Sequence, residues 1–137
     1  MTDEEKLQAN ANLAIETLSP LSDVSPFGYN RASVAWVEGY IERQRARANL
    51  APDARHQLAQ VLGSFLGECI IRCYGGTRRR DEHGWAIHFD DSNAAYPLNK
   101  VQKQFDNGVD GGDSILSFFD SVGPLFHRRE KPWWKFW

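Results

Sequence analysis

Glu68 and Arg72 stand four residues apart inside the most apolar stretch of the chain, Leu58 to Cys73. At that spacing on a helix the two side chains meet as a stabilising ion pair. A carboxylate half-withdrawn from water can instead keep its proton near neutral pH and act as an acid or base. His88 or Asp90 could then complete a small hydrolase site with Glu68, although spacing fixes no second carboxylate beside it. Pairing with Arg72 or with backbone is the expected role, and the hydrolase is the alternative.

Cys69 and Cys73 lie one helical turn apart, which can set two thiolates on one metal. Zinc needs about four ligands, and no other Cys or His pair completes the set. Both cysteines are therefore expected in the core, with no metal. His56, His83, His88 and His127 are scattered along the chain. A catalytic pair of His88 with either cysteine would require the histidine to turn inward against strand alternation. His88 is expected on an exposed sheet face, near acidic turn residues. The run from Asp106 to Asp113 imitates a calcium loop, but Gly108 stands at the third position, which needs an oxygen ligand, and Ser117 at the twelfth, which needs a bidentate Glu. GxSxG, HExxH and phosphate-binding glycine loops are absent, so no cofactor is expected.

Elements that would position these groups follow from periodicity. Thr2 and Glu5 form a capping-box pattern ahead of a helical stripe, Leu7, Ala11, Ala14, Ile15 and Leu18, that stops before Pro20. A second helix is expected from about Arg31 to Asn49 on Val34, Val37 and Ile41. The third starts at Pro52 and carries Leu58, Val61, Leu62, Phe65, Leu66, Cys69, Ile70 and Cys73, with only a narrow polar strip through Gln57, Ser64, Glu68 and Arg72. A helix apolar around most of its circumference is central and buried. Gly63 and Gly67 each cost about 1 kcal/mol in a helix interior, so another backbone is expected to pass close by. Gly75-Gly76 ends the helix.

Beyond the glycines the period becomes two. Trp85, Ile87 and Phe89 alternate with Ala86 and His88, flanked by shorter candidates at Thr77–Arg80 and Ala94–Tyr96, with turns at 81–84 and 90–93. Asn99 and Asp113 are candidate caps for two short helices, the second ending at Gly123-Pro124. The predicted fold is α+β: N-terminal helices with a central buried helix, a small three-stranded antiparallel meander, and two short C-terminal helices.

At 137 residues, with 42% hydrophobic and 25% charged, the chain suits one domain, 1–126, followed by a tail, 127–137. No 18-residue apolar run and no secretory leader are visible, and the two cysteines suit a reducing compartment, so a cytoplasmic chain is expected. The net charge of −2 hides a split: nine basic against four acidic residues over 31–80, then eight acidic against two basic over 81–120. The acidic half, with Asp81, Glu82, Asp90 and Asp91 at the turns, suits a basic protein partner and disfavours nucleic acid. The tail joins Trp133, Trp134 and Trp137 to four basic residues. That chemistry fits a partner groove or a membrane surface, or folding back on its own domain.

The motif Leu62-Gly63-Ser64-Phe65-Leu66-Gly67-Glu68, followed by Gly75-Gly76 and Gly84-Trp85-Ala86-Ile87, resembles a family of small bacterial proteins of unknown function. They share LGxxLGE, a glycine pair and a short sheet. Asn99-Lys100-Val101 and Asp113-Ser114-Ile115 resemble the family's downstream half. The resemblance implies a bacterial origin and a compact fold, and sets Thr77-Arg78-Arg79-Arg80 apart as an exposed basic strand. The function expected is non-enzymatic protein binding, immunity-like or adaptor-like, through the acidic face. Alternatives are the Glu68 hydrolase and a tether working through the tail.

Overall fold

The computed structural model describes residues 1–130, with side chains through residue 124. Helix α1, Asp3–Leu18, starts on a reciprocal cap: Thr2 Oγ1 accepts from the Glu5 amide and Glu5 Oε1 from the Thr2 amide, each at 3.1 Å. It buries Leu7, Ala11, Ala14 and Leu18, and Pro20 then leads a 3-10 turn, Ser19–Leu21. Helix α2, Arg31–Arg45, is capped by Asn30, whose Oδ1 accepts from the Ser33 amide at 2.9 Å. It stops four residues short of the expected Asn49. The chain turns there, and Arg45 Nε reaches across to donate to the Phe105 carbonyl at 2.9 Å.

Helix α3, Pro52–Tyr74, is the axis of the fold, burying an unbroken run from Leu62 to Ile70. A Cβ on Gly63 would stand 2.7 Å from the Leu98 Cα, so the expected close backbone is the start of helix α4, Pro97–Asn107. Leu58 and Val61 are only partly buried. Cys73, expected in the core, is exposed; it lies in the last turn, where the helix emerges from its neighbours. Gly75 and Gly76 end α3 at φ of 94° and 97°.

Strands β1, Thr77–Asp81, β2, Gly84–Asp90, and β3, Asn93–Ala95, form an antiparallel sheet in the order β1-β2-β3. Arg78 pairs with Ile87, Thr77 with His88 and Ala94 with His88. The expected alternation is incomplete: Ala86 is as buried as Ile87, whereas Trp85 and Phe89 are half-buried. A methyl group is easily shielded by longer neighbours, and Arg79 is its direct cross-strand partner.

Helix α4 begins two residues before Asn99, with Pro97 in its first turn, where the missing N–H costs nothing. Helix α5, Ile115–Glu130, is capped by Ser114, not Asp113: Ser114 Oγ accepts from the Ser117 amide at 3.0 Å. Glu38 of α2 adds a second acceptor, taking the Leu116 amide at 3.3 Å and the Ser114 hydroxyl. Asp113 instead holds Lys100 at 2.9 Å and Asn107 at 2.8 Å. The helix also runs through Gly123-Pro124, where a stop was expected. Proline removes one ladder bond, and packing outweighs the loss: Ile115, Phe119 and Val122 are buried, and Phe119 lies 5.0 Å from the Tyr74 ring. The result is α+β, and one buried cluster draws on all five helices and the sheet.

Candidate functional site

Glu68 is 7% exposed and sits between two arginines. Arg72 Nε donates to Oε1 at 2.9 Å, and Arg78 Nη2 approaches Oε2 at 3.5 Å. Arg72 also lies over the Tyr29 ring, 4.4 Å from its centroid. The basic strand is thus only partly exposed, since the Arg78 side chain turns in toward α3 and keeps 11% of its surface. Its cross-strand partner Ile87 faces Gly67 of α3. His88 follows Ile87 and therefore projects from the opposite face. The sheet separates Glu68 from His88, and the gap beside Gly67 has no room for a water molecule.

Burial pushes the Cys69 thiol far above its ordinary range, with the neighbouring Cys73 adding to the shift. Cys73 Sγ donates to the Tyr29 carbonyl at 3.6 Å. Among the described residues no group of three His, Cys, Asp or Glu side chains could hold a metal ion.

The outer face of the sheet is different. An open cleft of about 550 Å³ runs across it, lined by Arg79, Asp81, Glu82, His83, His88, Asp91 and Tyr96 among others. Asp81 organises it. Its Oδ1 accepts from the His83 amide at 2.8 Å, closing the first turn, and its Oδ2 accepts from the Tyr96 hydroxyl at 2.6 Å. The Tyr96 hydroxyl is the main reason the Asp81 carboxyl lies below the usual carboxylate range; the His83 amide and the charges of His88 and His83 assist, against some desolvation. The same bond raises the Tyr96 phenol.

His88 Nε2 lies 3.1 Å from Asp81 Oδ2, an ion-pair distance not aligned for a hydrogen bond. Arg79 Nη2 is 3.2 Å from His88 Nδ1. A guanidinium only donates, so this contact is a hydrogen bond when Nδ1 offers its lone pair. Nδ1 is thus taken up by Arg79, while Nε2 faces Asp81 without an aligned hydrogen bond. The His88 side chain is 12% exposed, less open than its strand position suggests.

The four turn acids divide into two pairs. Asp81 and Asp90 are staples of the two turns: Asp90 Oδ1 accepts from the Ser92 amide at 2.8 Å and from Asn93 Nδ2 at 2.7 Å. Glu82 and Asp91 are exposed. Asp90 lines a shallower hollow with Thr77, Phe89 and Asp91 that adjoins the cleft through Arg79 and His88. Sequence reasoning did not place Arg79, His83 or Tyr96 in the site. The strand pairing that gathers them leaves no local signal, and Tyr96 is recruited from 15 residues away. Trp133, Trp134 and Trp137 lie outside the described residues.

Among the described residues no helix is long and apolar enough to cross a membrane. No protein-family model matches the chain, and no curated protein or solved structure matches it either.

Proposed function

We propose that this chain is a non-enzymatic binding protein, adaptor-like or immunity-like, that offers the cleft across its meander to a basic protein partner. Convergence is the observation that supports the reading: Asp81 and Glu82 from the first turn and Asp91 from the second line one open cleft. The stapled acids fix the shapes of the turns from which Glu82 and Asp91 reach solvent. Rigid presentation of that kind lowers the entropy lost on association, and unbalanced negative charge speeds encounter with a basic surface. Two thiols without a disulfide suit a cytoplasmic setting.

Titration of the isotopically labelled protein with a lysine-rich peptide, followed by amide chemical shifts, tests the reading. Saturable shifts should centre on residues 81–83 and 91–94 and weaken as salt rises. The double variant Glu82→Lys, Asp91→Lys should lose them, and titration curves indifferent to that reversal would sink the acidic-cleft reading.

A further inference from the structure

The strand order leaves the outer edge of β1 open. Among the described residues no backbone hydrogen bond from outside the sheet reaches Thr77–Asp81. Exposed edges recruit extended chains, because their N–H and C=O groups form a ready ladder. The three central side chains of this edge are arginines, and the geometry separates them. Arg78 is drawn inward by Glu68. Arg79 and Arg80 remain exposed, Arg80 with 66% of its side-chain surface, and as consecutive strand residues they flank the edge on opposite faces.

Two copies joined edge to edge would set arginines against one another, and like charges across a ladder are destabilising. The basic tail of the chain meets the same repulsion. An acidic strand reverses the sign on both faces at once. We propose that the β1 edge is a docking site for an extended acidic segment of a partner protein, added as a fourth, antiparallel strand.

Register follows from the pairing rules. The incoming residue opposite Asp81 is basic or neutral, the next two are acidic and face Arg80 and then Arg79, and the one opposite Arg78 is apolar. The present contacts of Arg79 with His88 and of Arg80 with Asp3, at 3.2 and 3.5 Å, each use an exposed arginine and are cheaply shared or displaced. Arg79 also lines the acidic cleft, but the edge selects acidic peptides and the cleft basic ones, so the two readings fail separately.

The probe is the capped peptide Thr-Lys-Glu-Glu-Val-Thr-Val, titrated into the labelled full chain. Saturable shifts and slowed amide exchange over residues 77–81 are expected. An N-methylated version of the peptide, unable to donate along the edge, should not bind. The double variant Arg79→Glu, Arg80→Glu should weaken the acidic peptide by roughly tenfold or more and take up a Glu-Lys-Lys counterpart. Absence of binding by the native chain would overturn the proposal. So would equal binding of the N-methylated peptide, which would reveal charge attraction without strand addition. A peptide-free dimer paired through β1 would also refute it.

Discussion

Gly63 and Leu98 touch backbone to backbone: a methyl group on Gly63 would stand 2.7 Å from the Leu98 Cα and 2.9 Å from its Cγ. Helix α4 can cross α3 so closely only because that side chain is missing. Gly63→Ala gains about 1 kcal/mol of helix propensity but forces two main chains apart, and overpacking costs about 1–3 kcal/mol. The expected outcome in urea denaturation is net destabilisation. Gly39 in α2 provides the contrast, because an added Cβ there meets only the mobile end of Arg43, at 3.3 Å. Gly39→Ala should be neutral or stabilising by up to about 1 kcal/mol, and equal destabilisation at both sites would refute the close-approach argument.

Glu68 neutralises Arg78 where the guanidinium is nearly cut off from water. Glu68→Gln keeps the shape and removes the charge, leaving Arg78 without its counter-ion. The expected loss is about 2–4 kcal/mol, near the range for breaking a buried pair. Replacing both partners, Glu68→Met with Arg78→Met, should recover most of it, since no stranded charge remains. A double variant no more stable than Glu68→Gln would show that the ion pair is not the cause.

The Tyr96–Asp81 bond makes stability depend on pH at both extremes. The folded pKa of Asp81 is depressed, so its contribution is complete above the unfolded value near 3.9 and disappears as pH falls through the lower folded value. Asp120, held by Arg31, and Asp113, held by Lys100 and Asn107, change in the same direction. The Tyr96 phenol is raised, so its share is complete below the unfolded value near 10 and is lost as pH rises through the folded one. Asp81→Asn should flatten both limbs of a stability-against-pH curve measured by urea denaturation. Limbs as steep as those of the parent chain would rule this pair out.

Local and helical features were legible in the sequence because their causes are local. The Thr2–Glu5 cap, the α3 stripe, the glycine stop at Gly75-Gly76 and the need for a near backbone at Gly63 all follow from spacing within a few residues. Errors arose where a distant partner decides the outcome. Arg78 reads as an exposed strand arginine until Glu68 is known to lie beneath it. Pro124 reads as a helix stop until Phe119 and Val122 are seen packing. Asp113 reads as a cap, yet Lys100 and Asn107 hold it while Glu38 takes over part of that duty. The turn acids were recognised by composition, but their division into Asp81 and Asp90 as staples and Glu82 and Asp91 as presenters depends on hydrogen bonds that composition does not encode.

The carboxylate of Glu38 holds the first turn of α5 from 78 residues upstream of Leu116, and Gln104, with no exposed surface, donates to the Glu38 carbonyl while accepting from the Ile115 amide. Helix α5 therefore inherits its starting point from α2. The inward polar groups of α2 find these partners only once α4 and α5 are in place. Completing this side of the molecule therefore carries the entropy of closing a long loop, a cost that formation of the individual helices does not offset.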